Sequence, residues 1–427
     1  MIKILSLILF LIVFIPFRAE GGEIIKKGET LTLRQCIDIA LKMHPNIIAA
    51  KGAIAASESR TGQAESNYFP QIGTSAGYSK ISDVPSTTKN KSSQSYDEYT
   101  SSVTLSQTLF DFGKTPTHVR IQNLNLDSAK ADFENSAAQI IFNVKQAYYN
   151  VLQAKRNRDV AAETVIQFQQ HLEQAKGFYE VGLKPKFDVT KAEVDLSNAK
   201  LNLIKAENAL KIAMITLNNT LGVTEAPEYT IEDNLAYEKQ TIKLEDTLAL
   251  AFKNRPDLRS LQLKTKASEE SIALAKKGYL PVLTGSAAYN WAAQKFPLEH
   301  GWNAGVTITL PIFSGYLTKH QVEESRANLN IAKANEDVLR QQVILDVQQA
   351  YLKLREAEER IPTAELAVTQ ATENLDIANG RYEAGVGNPI EVTDAQISYI
   401  NAKTAYIQAL YDYKVAQASL DKATGVR

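Results

Sequence analysis

The chain has 427 residues, of which 22% are charged, and its formal net charge at pH 7 is -1. This near balance gives no electrostatic basis for nucleic-acid binding, so we expect no nucleic-acid partner. The single cysteine, Cys36, excludes a framework of disulfide bonds.

The first residues have the pattern of an export signal. Lys3 precedes an apolar run, Ile4–Ile15, and the small residues Ala19 and Gly21 follow it. The run is shorter than the ~20 apolar residues that a membrane-spanning helix requires. We therefore expect residues 1–21 to be a signal peptide that is cleaved near Gly21.

The remainder of the sequence is a tandem duplication. Leu31–Tyr78 aligns without a gap with Ile242–Tyr289, and Val103–Val223 aligns in the same way with Val306–Val426. The two offsets are 211 and 203 positions, so the first copy holds eight extra residues between its aligned segments. A duplication of this extent predicts one body built from two equivalent units that pack together.

Each repeat opens with an amphipathic helical pattern. We place the first repeat at residues 22–230 and the second at residues 231–427. In both, the helical pattern ends at a Tyr-x-Pro sequence, which finishes at Pro70 in the first copy and at Pro281 in the second. Proline disfavours helix at the residue before it, so a change of structure is expected there.

After each Tyr-x-Pro sequence the hydrophobic period changes to two. Apolar residues such as Trp302, Val306 and Ile308 alternate with small polar ones such as Thr307 and Thr309, which is typical of strands with one apolar face. A strand of about ten residues crosses a bilayer when it is tilted. The predicted transmembrane strands cover about residues 71–81, 99–110, 282–292 and 302–312.

Four strands cannot span a membrane alone, because a lipid-facing sheet cannot leave its edges unpaired. Several chains must therefore pool their strands. The alternative is a half-buried sheet in a soluble domain. The wide separation of the two strand pairs in the sequence and the very long helices that follow them disfavour that alternative.

Long helices follow the strands in both copies. The pattern is helical from about Pro116 to Tyr179 and from Thr318 to Tyr382, with little to interrupt it. Each helix would be roughly 96 Å long at a rise of ~1.5 Å per residue. Pro362 is expected to kink the second one.

Both long helices are predicted to turn back as antiparallel hairpins. The returning stretches alternate a large residue with alanine at steps of three and four, which permits close packing. In the first copy these positions are Val189, Ala192, Leu196, Ala199, Leu203, Ala206, Leu210, Ala213 and Leu217. In the second copy they are Val392, Ala395, Tyr399, Ala402, Tyr406, Ala409, Tyr413, Ala416 and Leu420. We expect the tyrosines among them to pack inside the hairpins.

The sequence contains no assembled constellation for catalysis or metal binding. Its five histidines do not have metal-site spacing with cysteines or carboxylates. A hydrolase-like G-x-S-x-G sequence runs from Gly73 through Ser75 to Gly77, but it lies in an alternating strand with no helix after it. We therefore expect no catalytic residues, no metal site, no cofactor and no enzymatic activity.

The duplicated Tyr-x-Pro sequences, paired strands and long hairpins resemble the TolC family of outer-membrane efflux channels over essentially the whole mature chain. The two hairpin turns carry the most specific match. They are Tyr179-Glu180-Val181-Gly182-Leu183 followed by Phe187-Asp188-Val189, and Tyr382-Glu383-Ala384-Gly385-Val386 followed by Ile390-Glu391-Val392-Thr393-Asp394-Ala395. The resemblance implies a mainly α fold with a small transmembrane β part. It further implies a trimeric α-barrel across the periplasm, continued by a shared twelve-stranded β-barrel.

The resemblance implies a passive exit duct of a tripartite efflux or type I secretion system, located in the outer membrane and extending into the periplasm. The implied partners are two further copies of the chain, a periplasmic adaptor (a membrane fusion protein), an inner-membrane pump and outer-membrane lipid. The alternative function is a periplasmic adaptor or coiled-coil scaffold of an export complex. Adaptors usually carry a lipoyl-like domain in two halves, which we do not find in the sequence.

The resemblance also assigns roles to residues of the two hairpin turns. Those that match the adaptor-docking turns are Val181, Gly182, Leu183, Ala384, Gly385 and Val386. Glu391 and Asp394 match the acidic rings of the closed inner aperture, and Asp188 matches the neighbouring acid of the first hairpin.

The chain departs from the family pattern at one position of the second turn. The best-known member has an arginine two residues after the second turn glycine, and its ion pair holds the aperture closed. This chain has Gly387 there. We therefore expect the aperture to be held differently, through Lys184 or Lys186.

Overall fold

A computed structural model describes residues 25–82, 95–239 and 242–426. The signal peptide predicted over residues 1–21 lies outside these described residues. Within them the chain is mainly helical, with one four-stranded and one two-stranded sheet.

The two repeats contain the same succession of elements. The first comprises β1 (Thr30–Leu31), α1 (Leu33–Met43), α2 (Pro45–Glu65), β2 (Gln71–Ser82), β3 (Ser95–Phe110), α3 (Lys114–Glu180) and α4 (Lys186–Leu221). The second comprises β4 (Thr230–Ile231), α5 (Leu244–Asn254), α6 (Pro256–Lys276), β5 (Val282–Ala293), β6 (Glu299–Thr309), α7 (Leu317–Glu383) and α8 (Pro389–Thr424).

The first strand of the second repeat pairs with the first strand of the first repeat. β1 and β4 pair in parallel, with Thr30 opposite Thr230. Directly after β1, Thr32 and Gln35 form a reciprocal capping box that begins α1. The connection between the repeats is therefore anchored beside the first helix.

In each repeat the chain changes direction between the two short helices. The second helix of the hairpin ends against this bend. Pro256 occupies the first position of α6, as Pro45 does in α2, where the missing amide proton costs no hydrogen bond. Gly222 follows α4 with a φ of +75°, and an added Cβ there would lie 2.8 Å from the Cα of His44. Gly425 makes the equivalent approach to Asn254 after α8. As a result, α4 abuts the start of α2, and α8 abuts the start of α6.

The larger sheet has the strand order β2-β3-β5-β6 and is antiparallel throughout. Its register sets Val103 beside Tyr289 and Tyr289 beside Trp302, so apolar residues from three strands share one face. Ser102 and Asn290 pair on the opposite face, which carries small polar residues. Within the described residues, β2 and β6 form the two edges of this sheet.

Three strand ends differ from the predicted ranges by three or more residues: the start of β3 and both ends of β6. β3 begins at Ser95, four residues before the predicted start, because it continues to pair with the end of β2 as far as Ser82. β6 ends at Thr309, shortly before Pro311, which has no amide hydrogen to donate to a ladder.

The hairpins are formed by α3 with α4 and by α7 with α8, and α3 also packs against α8. Both α3 and α7 contain 67 residues, which corresponds to about 100 Å. α7 continues through Pro362, which lies on an exposed side of the helix; a kink there stays a prediction. No described helix combines the length and apolar character needed to cross a membrane.

Three clusters of buried apolar residues stabilise the chain. The largest, the equatorial core, joins α1, the parts of both hairpins that are far from their turns and the segment after β4. It includes Tyr148, Leu217 and Tyr413. The first-hairpin core lies between α3 and α4 around Phe168, and the second-hairpin core lies between α7 and α8 around Tyr382. Near the turns, each hairpin therefore has its own apolar core.

Candidate functional site

The hairpin turns are closed by glycines in the left-handed region. Gly182 has a φ of +75° and Gly385 a φ of +76°, a conformation that side chains with a Cβ rarely adopt. The amide of Leu183 donates to the carbonyl of Phe178 at 2.8 Å, and the amide of Val386 donates to the carbonyl of Arg381 at 3.1 Å. Both turns thus end their helices with the hydrogen bonds of a Schellman motif.

The residues assigned to adaptor docking lie together at the ends of the hairpins. Val181, Leu183 and Val386 are each about two-thirds exposed, and Gly182, Ala384 and Gly385 are exposed beside them. Apolar side chains concentrated at an exposed turn are typical of interaction sites.

The two acidic residues of the second hairpin are exposed, and one of them has a basic partner that sequence reasoning missed. Arg381 Nε lies 3.4 Å from Glu391 Oε2, and both side chains are about half exposed. Arg381 and Glu391 each lie five positions from Val386, so the antiparallel hairpin brings them opposite each other. That symmetrical spacing is the signal from which the pair could have been found. Asp394 lies one turn beyond Glu391 on the exposed side of α8.

Asp188, assigned to the same aperture, is buried in the single chain. Its environment includes His171 of α3 and Tyr382 of α7, because its charge acts on the pKa of both groups. Burial is the largest cause of the raised pKa of the Tyr382 hydroxyl, and the Asp188 charge adds to it. Asp188 is therefore set apart from the exposed pair Glu391 and Asp394.

Polar contacts join the two hairpins. The Lys184 ammonium donates to the carbonyl oxygen of Gly387 at 3.2 Å, whereas Lys186 is exposed. Further from the turns, Thr393 donates to Asp195 at 3.0 Å, and Lys403 of α8 pairs with Glu163 of α3 at 2.6 Å. Gln396 likewise donates to Gln167.

Gly387 is required by the geometry of the second turn. An added Cβ would lie 2.7 Å from the amide nitrogen of Tyr382 and 2.8 Å from the carbonyl carbon of Arg381. The Gly387 amide also donates to the Arg381 carbonyl at 2.8 Å. The absence of a side chain here therefore allows the close approach of two backbone segments.

The described residues hold no cluster of histidine, cysteine and carboxylate groups that could bind a metal ion. Ser75 lies within β2 and shares a hydrogen bond of 2.9 Å with Ser102 on β3, so it is part of a sheet. Cys36 is buried, and burial raises the pKa of its thiol to about 12, which suppresses thiolate chemistry.

Comparison with known proteins agrees with this architecture. The family described as "Outer membrane efflux protein" matches residues 36–223 and 247–426. The chain is 25% identical to protein CyaE of Bordetella pertussis over 404 residues, which cover 93% of this chain and 84% of CyaE. It is 23% identical over 433 residues to the outer membrane protein TolC of Escherichia coli, covering 97% of this chain and 85% of TolC.

Solved structures show the same fold. The outer membrane channel CmeC of Campylobacter jejuni superimposes with a TM-score of 0.80 at 19% identity, covering 92% of this chain and 85% of CmeC. The open state of the MtrE channel of Neisseria gonorrhoeae superimposes with a TM-score of 0.78 at 18% identity, covering 92% and 89% of the two chains.

The family match includes most of both repeats, and the relatives are named as outer-membrane proteins and channels. These findings favour the channel over the adaptor alternative. The chain therefore belongs to the outer membrane efflux protein family, and it is an exit duct of an efflux or secretion system in the outer membrane.

Proposed function

We propose that three copies of the chain form one passive duct. Their pooled twelve strands close a barrel in the outer membrane, and their hairpins continue it as an α-barrel into the periplasm. The observation that carries this proposal is the four-stranded sheet with one apolar face. Its edge strands, β2 and β6, have backbone groups that lipid cannot satisfy, and pairing β6 of one copy with β2 of the next would satisfy them.

The outer helices of the hairpin row support the same assembly. α4 and α7 lie at opposite ends of the row formed with α3 and α8, and each has an apolar stripe that no described helix covers. The exposed residues are Val194, Leu201, Ile204, Ile212 and Ile215 on α4, and Ile331, Val338, Leu352, Leu366 and Ile377 on α7. Two different stripes that meet head to tail close a ring if the rotation between copies is 120°.

Charge complements this apolar contact. Exposed lysines, including Lys205 and Lys211, follow the α4 stripe, and exposed glutamates, including Glu359 and Glu365, follow the α7 stripe. Lys205 and Glu365 lie at similar distances from their respective turns, so they would be at the same height in neighbouring copies. Such pairs favour one register of association over others.

The hairpin ends supply the functional contacts of the duct. An adaptor of the membrane fusion protein class docks on Val181, Leu183, Val386 and the small residues beside them, and connects the duct to the inner-membrane pump. The duct itself catalyses no reaction. Threefold symmetry brings Glu391 and Asp394 of three copies around one axis, where their carboxylates favour cations, and the buried Asp188 adds to the negative potential behind them.

The trimer is tested by multi-angle light scattering of the purified, folded chain in mild detergent, where we expect the mass of three copies. Ile204→Asp on α4 or Leu366→Asp on α7 should weaken the trimer strongly, because each places a charge in an apolar contact. Ile166→Asp on α3 is the matched control, since Ile166 is 60% exposed and Ile204 is 62% exposed. A folded parent chain that stays monomeric would contradict the proposal.

A further inference from the structure

His171 is a buried histidine at the contact between the two hairpins, where sequence reasoning assigned it no role. Its ring centroid lies 4.8 Å from that of Tyr382 on α7. Tyr382 is fully buried, and the rings of Phe178 and Tyr382 are 5.6 Å apart. Among the described residues the Tyr382 hydroxyl has no hydrogen-bond partner. His171 thus packs against the second hairpin through a ring contact that hydrogen bonds do not reinforce.

Charged groups approach His171 from α4, the other helix of its own hairpin. Asp195 and Asp188 are buried, and Lys191 pairs with Asp195 at 2.7 Å. His171 and Asp195 each lie twelve positions from Leu183, so they stand opposite each other across the hairpin.

The second hairpin adds few titratable groups. α7 presents Tyr382 and also Glu383, whose carboxylate accepts a hydrogen bond from Gln174 of α3 at 3.1 Å. Lys184 in the first turn lies 5.8 Å from the centroid of the Tyr382 ring. α8 contributes Thr393, which donates to Asp195 and does not titrate. The carboxylates of α4 are therefore the main charges that a protonated His171 would meet.

Burial lowers the pKa of His171 below its ordinary value of 6.5. Asp195 and Asp188 raise the pKa and Lys191 lowers it, but burial prevails. The imidazole is consequently neutral at neutral pH while the hairpins are packed together. A histidine of this kind stabilises the packed arrangement above its ordinary pKa, and this stabilisation is lost as the pH falls through 6.5.

The hairpins can separate near their turns without opening their own apolar cores. The first-hairpin core closes between α3 and α4, and the second-hairpin core closes between α7 and α8. Apart from the aromatic contact of Tyr382 with His171 and Phe178, the contacts between the hairpins in this region are polar, such as Lys184 with Gly387 and Thr393 with Asp195. Water can replace such contacts, so their loss costs less than opening an apolar core.

We propose that His171 is a pH switch: its protonation on acidification releases the second hairpin from the first and widens the periplasmic end of the duct. This inference rests on the proposed function, in which the hairpin ends surround the aperture. Separation hydrates the imidazole, so proton binding favours the separated arrangement over the packed one.

The switch is tested with the purified full-length channel in planar bilayers, as the open-to-closed ratio at about pH 7.5 and about pH 5.5. Acidification is expected to raise this ratio by up to about tenfold per subunit, because a hydrated histidine of pKa 6.5 is about nine-tenths protonated at the lower pH. His171→Gln keeps a polar side chain that does not titrate and should make the ratio independent of pH. His320→Gln is the control, because it removes an exposed histidine that pairs with Glu323, and it should keep the response.

Asp195→Asn provides a second test if His171→Gln does not assemble. Asp195 lies on the same hairpin as His171 and stays beside it when the hairpins separate, and its carboxylate raises the pKa of His171 most. Removing that carboxylate lowers the pKa of His171 in both arrangements, so the midpoint of the pH response should move to lower pH. Spin labels on Leu183→Cys and Val386→Cys should report a larger distance at low pH, and the buried Cys36 should stay unlabelled.

A full pH response in His171→Gln, or an unchanged midpoint in Asp195→Asn, would overturn the switch. A channel that conducts as a trimer but ignores pH would contradict the switch alone. A chain that forms neither a trimer nor a pore would contradict the proposed function instead.

Discussion

Tyr179 and Tyr382 occupy equivalent positions before the two hairpin turns, yet Tyr179 is 46% exposed and Tyr382 is fully buried. Asp188 and Glu391 are also equivalent, and here the first is buried and the second is exposed. At the same distance from the two turns, equivalent residues are therefore buried in one copy and exposed in the other.

The neighbours of each hairpin account for this difference. Tyr382 packs against His171 of the first hairpin, and the second copy has Asn374 at the position equivalent to His171. In the described part of the chain, α4 packs chiefly against α3, and it contacts α1 beside the equatorial core. The second hairpin is thus completed by the first within one chain, whereas the outer side of the first hairpin is available to another copy. Equivalent residues of the two copies thus differ in burial where the helices packed around them differ.

The largest expected effect concerns the two hairpin turns, whose apolar side chains are similarly exposed. Leu183→Asp and Val386→Asp place a charge on side chains that are each about two-thirds exposed. Each variant alone should weaken adaptor binding at least about tenfold, and the double variant should abolish export, because a buried unpaired charge opposes docking. Pull-down of the adaptor and export by cells that produce each variant measure these effects.

Met43→Asp is the control for this experiment, since Met43 is an exposed apolar residue at the equator. It should leave adaptor binding unchanged. Normal export by the double variant at normal expression would contradict the docking assignment. A loss that follows only one of the single variants would show that the two tips differ in docking as they differ in burial.

A smaller effect is expected at Lys184 and Gly387, the equivalent residues that join the tips. Lys184→Ala removes a hydrogen bond worth about 1 kcal/mol, so the open-to-closed ratio at neutral pH should rise about fivefold per subunit. Gly387→Ala forces a Cβ against the backbone of Arg381 and Tyr382, and such overpacking costs about 1–3 kcal/mol. It should destabilise the second turn and raise the same ratio.

Lys186→Ala is the matched control for Lys184→Ala, because Lys186 is exposed in the same turn. Bilayer recordings should show no change in that variant. Equal effects of the two lysine variants would mean that charge at the tip matters and that the bond to Gly387 does not.

The smallest effect is expected on ion selectivity at the second tip. Alanine at both Glu391 and Asp394 should reduce cation preference and block by trivalent cations, and leave assembly intact. Asp394→Ala alone should act more strongly than Glu391→Ala alone, because Arg381 already offsets part of the Glu391 charge. Planar-bilayer recordings in a salt gradient measure both quantities. Unaltered selectivity in the double variant would leave these residues with a helix-capping role.

Local patterns in the sequence were sufficient to predict the strands, helical hairpins and turns of both repeats. The alternation around Val306 sets one face of a strand, the large-alanine steps around Leu196 set the seam of a hairpin, and Gly182 and Gly385 set the turns. Each of these signals acts over a few residues, because side-chain periodicity and backbone φ are local properties. They could therefore be read without knowing what lies beside each element.

Only the tertiary structure decided how the hairpins meet. His171 contacts Tyr382, Lys184 bonds to Gly387, and Asp188 is buried although its counterpart in the second copy is exposed. The contacts between hairpins join residues about two hundred positions apart, and whether a charge there is buried depends on which helix packs over it. The sequence by itself determined two equivalent hairpins, and packing within the chain made them different, because burial is a property of the neighbours and not of the residue.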